Sequence, residues 1–507
     1  MRLKRIAAML TAAVMAVSLA ACGGNADTNT ESSQNPQEST EAQAVHLNLA
    51  ESWGFEYFYT IITPEVSSSS YDITYYLTSF YDTLFEYNSE GEVVGVLAED
   101  WSMSEDGKTY TFQIKQGIKF SDGSDLTAED VAKSILAVPV NLGQYNGSYG
   151  RLSTIIEDAV ATDEYTVELH LTQPYYNTLR ELCLANPFGI VSSEQFNDDL
   201  TAKQESFRSA TYGTGPYMYA GDGDGTSYTF VRNPNYWGEA PDVDSFTVKV
   251  IPESKVAAMR AGEVDFIIGS DTLDAASYQE LSSTEGITGV ISDFDFVTEF
   301  IALNDEVAPL DDINIRKAIQ MAIDKESIVQ NIYSGLRSEA NSVMPSAMPY
   351  CKADVATPGY DMDAAIELMD KSGWTDTDGD GIREKDGEKL SFTITYPSTG
   401  VYDKVVLFFQ DSMKKLGIEI TTNPIDLMAF MQQVFTEGNY EITAYMSYWF
   451  PYDPYTFVAN MYPSTDYTDP SGIYSTDPQI AKALATMSEE EAKELIAGLY
   501  KTDDPDT

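Results

Sequence analysis

Between Tyr110 and Ile135 the hydrophobic period changes once, from two residues to about four. Tyr110, Phe112 and Ile114 alternate with Thr111, Gln113 and Lys115, the pattern of a strand with one buried face. Gly117 interrupts the run, Ile118 and Phe120 resume it, and Ser121-Asp122-Gly123 closes it in a turn. Thr127 followed three residues later by Asp130 forms a capping box, and Ala128, Val131 and Ile135 then recur at helical spacing. Alternation also predicts strands at Val45, Leu47 and Leu49, at Tyr165 to Leu171, and at Phe246, Val248 and Val250. A short helix from Ser254 to Arg260, ended by Gly262, and a return strand from Val264 to Ile268 complete a compact βαβ unit, which implies parallel pairing. Further on, 316–325 and 328–335 read as two successive helices. Val405, Phe409, Met413 and Leu416 form an apolar helical stripe closed by Gly417, and Ile418 and Ile420 open another strand.

Composition narrows the function. At 507 residues, 43% hydrophobic and 12% aromatic, the chain has room for two or three cores. Its 80 acidic and 30 basic residues give a net charge of −50, a field that repels nucleic acid and anionic headgroups. A nucleic-acid partner is therefore excluded, and solubility at a crowded cell surface accounts for the charge. His46 and His170 are the only histidines, too few for a histidine-built metal site and a poor basis for Ser-His or Cys-His catalysis. Besides Cys22, only Cys183 and Cys351 occur; their separation has no framework pattern and suits two ordinary thiols better than a disulfide. Ser412 and Lys415 have the Ser-x-x-Lys spacing of secreted acyl enzymes, without a Lys-Thr-Gly partner. A secreted hydrolase, or a surface sensor or adhesin ectodomain, is thus the alternative class.

The N-terminus carries an address. Arg2, Lys4 and Arg5 precede an apolar run from Ile6 to Ala21, so 1–21 read as a secretory signal peptide. Leu19-Ala20-Ala21-Cys22-Gly23 resembles a bacterial lipobox, in which Cys22 receives a diacylglyceryl group before cleavage. Residues 22–44 then form the anchor cysteine and a flexible polar linker. The expected location is extracytoplasmic, on the outer face of the cytoplasmic membrane or in the periplasm, with the lipid as the only membrane contact.

Taken as one string, 98–134 resembles the signature of family 5 solute-binding proteins, the extracytoplasmic receptors of ATP-driven importers for peptides, nickel and related solutes. The resemblance rests on Ala98 with Trp101, Asp106 to Phe112, Gly117 with Lys119-Phe120, Asp122-Gly123, Leu126 to Val131 and Ser134. It continues through Phe80 to Phe85, Gly213-Thr214-Gly215-Pro216-Tyr217, Arg232 to Gly238, Arg316 to Gly335 and Tyr360 to Trp374, and covers nearly all of 45–500. It implies an α/β, two-lobed fold of the type II periplasmic binding class with an extra subdomain in the first lobe. The first lobe would span 45–297 and the second 298–507, with Thr298 to Asn304 as the first crossing between them. Family members return to the first lobe near their end, and the chain's last residues lack such a strand, so a fragment or a short member is expected. The resemblance implies a monomeric receptor, not an enzyme. It would have no cofactor, a small solute as ligand, and the permease and ATPase subunits of an ABC importer as partners.

The same resemblance suggests a site. Tyr448 to Pro454 matches the loop that faces the cleft, and Phe450 stands where peptide-binding members commonly have an Asp for the peptide's ammonium. Pro451-Tyr452-Asp453-Pro454 is closer to the nickel-importing branch, as are Tyr175-Tyr176 with Glu181-Leu182, Pro187-Phe188 and Tyr236 to Glu239. That branch holds a nickel chelate, which is cargo, with arginines on its carboxylates and rings around it. The arginine positions fall on Asn146 and Asn186, and the ring positions on Tyr149, Tyr448 and Tyr452. The rings are kept and the charges lost, so a nickel chelate and an oligopeptide both stay open, and a neutral or cationic solute fits as well. Asp376, Asp378 and Asp380 look like the start of a calcium loop, but Gly387 replaces the Glu that such a loop needs at its twelfth position, and a polar turn is the better reading.

Overall fold

The computed structural model describes residues 44–446 apart from 53, 60–71, 90–91, 144–145, 147–149, 176, 253–254, 268–272, 292–296, 342–357 and 399–401. Strand β1 (His46–Glu51) comes first, and the chain then leaves it for a long excursion. β2 (Ala98–Met103) and β3 (Thr109–Ile114) lead into helix α1 (Ala128–Leu142) and the single turn α2 (Leu152–Ile155). β4 (Ile156–Asp163) and β5 (Thr166–Leu171) follow and complete an antiparallel sheet in the order β2-β3-β5-β4. Tyr110, Phe112 and Ile114 of β3 and Val167, Leu169 and Leu171 of β5 are buried, as their alternation requires. The helix buries Val131, Ile135 and Val138 in the same core. Asp130 Oδ2 accepts from Thr127 N at 2.9 Å and Oγ1 at 2.8 Å, so the polar start of α1 is as anticipated. Ile118 and Phe120 are buried but build no strand; Lys119 makes one isolated bridge to Asp125, because the turn at Asp122 folds the segment back on itself.

Two more single turns, α3 (Thr178–Glu181) and α4 (Ala185–Phe188), precede the return to β1. β6 (Tyr217–Tyr219), β7 (Ser227–Arg232), β8 (Ser245–Val250), helix α5 (Lys255–Ala261) and β9 (Phe266–Ile267) join β1 in the order β9-β1-β8-β7-β6. The βαβ unit is present, with one difference from the sequence pattern. β8 and β9 are not neighbours: β1 lies between them, parallel to both, with Leu47 opposite Phe246 and Ala50 opposite Ile267. The crossover thus spans a strand supplied 199 residues earlier, which no local pattern can announce.

The remaining elements have a core of their own. They are β10 (Glu299–Leu303), α6 (Ile313–Met321), α7 (Lys325–Asn331), α8 (Met362–Lys371), β11 (Ser391–Pro397), α9 (Asp403–Leu416), β12 (Glu419–Ile425) and β13 (Ile442–Met446). The sheet runs β10-β13-β11-β12, with β11 and β12 parallel across the α9 crossover. Phe409, Met413 and Leu416 of α9 pack with Leu310, Ile315, Ile394 and Ile442, and Gly417 ends the helix in the left-handed region at φ 86°. Ser412 is buried in that face, while Lys415 is exposed and pairs with Asp411 at 2.6 Å. A serine sealed in a core cannot act as a nucleophile on substrate. Among the described residues no helix is long and apolar enough to cross a membrane.

Candidate functional site

α1 is the post on which the site is hung. Its Asp130 Oδ1 accepts from Ser193 N at 2.8 Å, and its Ser134 Oγ donates to Val191 O at 3.0 Å, which ties the segment after α4 to the helix. Asn141 Nδ2 donates to Leu200 O at 2.9 Å and its Oδ1 accepts from Ala202 N at 2.9 Å. The loop after α1 is held by a buried carboxylate. Glu181, 2% exposed, accepts from Arg151 N at 3.0 Å, Leu152 N at 2.8 Å and the Tyr175 hydroxyl at 2.5 Å. Gly150 packs so tightly on this carboxylate, at φ 140°, that a Cβ would overlap it.

Asn146 and Asn186 stand on that framework. Asn146 Nδ2 donates to Ser153 O at 3.3 Å, just beyond the pair of amides that Glu181 grips. Asn186 lies in α4, five residues after Glu181, with a non-helical φ, ψ of −110° and 105°. The side-chain oxygens of both are buried and have no hydrogen-bond partner among the described residues. Buried polar atoms are almost always paired, so such an acceptor marks where water or a ligand belongs. Tyr149, Tyr448 and Tyr452, and Cys22 with the whole leader, lie outside the described residues.

Several polar groups escaped the sequence reading. Asp82 Oδ2 accepts from Thr214 Oγ1 at 2.7 Å and Trp237 Nε1 at 2.8 Å, and Lys115 Nζ lies 4.7 Å from the centroid of the Trp237 ring. Four separate motifs meet in this latch. Burial pushes the Asp82 carboxyl above its ordinary range, opposed by its two donors and by Lys115. Gly213 and Gly215 press against the Phe80 carbonyl beside it, leaving no room for a Cβ. At the carboxyl end of β1, Glu51 and Lys255 are both buried; Tyr76 donates to Glu51 at 3.4 Å, and Lys255 Nζ donates to Ser52 Oγ. The available signal for each was an ionisable residue inside an apolar run, which is common in a chain with 80 acids.

The remaining candidates resolve simply. Cys183 is a free thiol, its Sγ 3.2 Å from Leu179 O, and burial pushes it up to about 12, well outside the reactive range; Cys351 lies outside the described residues. Asp376, Asp378 and Glu384 bring carboxylate oxygens within 4.8 Å of one another. Asp376 accepts from Gly379 N and Gly381 N, Glu384 from Thr377 N, and Lys389 pairs with Asp380, the bonding of a self-closed polar turn.

Comparison with known proteins decides what kind of protein this is. The family model for bacterial extracellular solute-binding proteins, family 5 Middle, matches residues 92–469. The chain belongs to that family. It is the solute-binding receptor of an ABC importer, works outside the cytoplasm and is not an enzyme. The nickel-binding periplasmic protein of Escherichia coli is 29% identical over 425 residues, 82% of this chain and 80% of that one. The oligopeptide-binding protein AppA of Bacillus subtilis is 28% identical over 447 residues, 86% and 79% of the two chains. A crystal structure of NikA from Brucella suis in complex with Fe(III)-EDTA superposes with a TM-score of 0.78 at 25% identity, covering 90% of each chain. The receptor therefore has the α/β, two-lobed type II periplasmic binding fold.

Proposed function

We propose that this receptor captures a nickel chelate or an oligopeptide between two lobes that divide near residue 298, at a site formed by Asn146, Asn186, Tyr149, Tyr448 and Tyr452. Closure of the lobes on solute would present the closed form to the permease, and the solute stabilises closure only by binding it better than the open form. The observation that carries the reading is the pair of buried, unpartnered amide oxygens on Asn146 and Asn186. These are the two residues that the family resemblance suggests as ligand contacts, and both offer an acceptor that no described residue fills. Relatives named for nickel and for oligopeptides support the two cargo classes equally.

The tyrosines would supply contact area at low side-chain entropy cost, with phenol groups free to hydrogen-bond. Truncating Tyr452 to Ala should weaken binding by roughly 1 to 3 kcal/mol, and Asn186→Arg should favour acidic nickel chelates over peptides. Calorimetry of wild type and both variants against a short-peptide pool, nickel–histidine and nickel with a tricarboxylate tests this. Unchanged affinities in both variants would sink the site. In this reading Cys22 is lipidated and tethers the folded body through 22–44, so Cys22→Ala should release the receptor from washed membranes. Retention of the variant would remove the lipid anchor from the account.

A further inference from the structure

Arg151 has a fixed backbone and an idle head group. Its N–H donates to Glu181 Oε1, and its carbonyl accepts from Thr154 N at 3.0 Å and Thr154 Oγ1 at 2.7 Å. Among the described residues its buried Nε has no hydrogen-bond partner, and its guanidinium has no ion pair or ring contact. Every other arginine among the described residues is engaged. Arg208 pairs with Glu56, Arg232 with Asp244, Arg260 with Glu280, Arg337 with Glu299 and Arg383 with Asp370. Arg316 donates to Leu310 O, and Arg180 also has its contacts. In a chain with 80 carboxylates and 30 basic groups, an arginine without an acid is the reverse of what random placement gives.

Its position connects it to the site. Asn146 Nδ2 bonds the carbonyl of Ser153, two residues beyond Arg151, and the carboxylate that grips Arg151 N belongs to Glu181, five residues before Asn186. One hydrogen-bonded framework therefore carries a buried N–H donor on a cation and two buried amide acceptors. A ligand reaching all three would bring an anionic acceptor together with N–H donors. A guanidinium is suited to a carboxylate, which it can grip with parallel bonds. Amide oxygens, by contrast, repel further carboxylates and accept from ammonium, amide or metal-bound amine groups.

We propose that Arg151 is the carboxylate-holding residue of this receptor, supplying from five residues along the loop the charge that is missing at Asn146 and Asn186. The assigned solute class is small molecules with a free carboxylate beside N–H donors: an amino-acid chelate of a divalent metal, or a short peptide with a free C-terminus. A tricarboxylate chelate without N–H groups does not fit. This assignment rests on the site proposed above.

The test is calorimetry on the full chain with four probes: trialanine, trialanine amide, nickel with two equivalents of L-histidine, and nickel citrate. Wild type, Arg151→Gln, Arg151→Lys and Asn186→Ala are compared, with thermal unfolding of each unliganded variant alongside. Wild type should bind trialanine or nickel–histidine, and trialanine at least tenfold more tightly than its amide. Arg151→Gln should lose at least tenfold for the carboxylate-plus-amine probe with Tm unchanged, and should erase the acid-over-amide preference. Arg151→Lys should restore part of the loss, as a merely structural arginine would not require. Equal affinity of Arg151→Gln and wild type overturns the proposal, as does wild type that binds only nickel citrate or none of the four. If Asn186→Ala weakens binding while Arg151→Gln does not, the site stands and the role of Arg151 falls. If Arg151→Gln weakens binding while Asn186→Ala does not, the carboxylate grip stands and the asparagine site falls.

Discussion

Two polar clusters in the first half of the receptor share one apolar core and treat their polar atoms in opposite ways. In the latch, Asp82 takes donors from Thr214 and Trp237, and Lys115 covers the indole ring. In the loop beyond α1 and in α4, Asn146, Arg151 and Asn186 each keep a buried polar atom without a partner among the described residues. The latch is built from residues inside the strings that carry the family resemblance, and the open set lies outside those strings. The difference is energetic: in the latch the side chains satisfy one another, so changing one member strands the rest. In the proposed reading the open set is where cargo binds, since each unpaired atom costs free energy until a solute arrives.

The largest test strikes the carboxylate that holds the loop of the open cluster. Glu181→Ala deprives two backbone N–H groups and the Tyr175 hydroxyl of their acceptor in a buried setting, and should destabilise the receptor by about 3 to 5 kcal/mol. It should abolish solute binding as well, because the loop carrying Asn146 and Arg151 loses its tie. A urea midpoint close to wild type would show that the loop holds its shape unaided. Next is Thr214→Val at the latch. Thr214 is fully buried, and the isosteric change removes one donor from Asp82, for an expected loss of about 1 to 2 kcal/mol with affinity unchanged. Asn186→Ala should do the reverse. It removes an orphaned amide oxygen, so the unliganded receptor should be unaffected or stabilised by up to about 1 kcal/mol while affinity falls. If both variants lose stability and neither loses affinity, the distinction between the clusters disappears.

What could be read without coordinates followed from how far each interaction reaches. The capping box of Thr127 and Asp130, the alternation of Tyr110, Phe112 and Ile114, and the stripe ended by Gly417 are all local, and the structure has each of them. The insertion of β1 between β8 and β9 depends on a partner about 200 residues away, and so was legible only as parallel pairing. For Glu181, the partners are backbone amides 29 and 30 residues distant, which have no side-chain identity to recognise. Arg151 was invisible for a different reason: a sequence shows that a charge is present, never that it is unpaired. Asn146 and Asn186 were named from resemblance alone, and the framework gives them a physical reason to matter. For Tyr149, Tyr448 and Tyr452 the case still rests on resemblance.

The smallest effect concerns the proton on Asp82. Burial raises its carboxyl pKa above the ordinary 3.8, against the pull of Trp237, Thr214 and Lys115. A carboxyl raised on folding contributes stability that is fully present below the unfolded value and is lost as pH rises through the folded one, because the folded state then holds a charge it solvates poorly. Asp82→Asn keeps a carbonyl oxygen able to accept from Trp237 and Thr214 but carries no titrating proton. The stability of wild type relative to this variant should therefore fall between about pH 3.8 and the raised folded value, then stay level towards neutral pH. Urea midpoints of both proteins at half-unit intervals from pH 3 to 7 would trace the difference. A difference that instead grows with pH would mean that the donors outweigh burial. The latch would then be a net attractor for the charge, and its contrast with the open cluster would be sharper still.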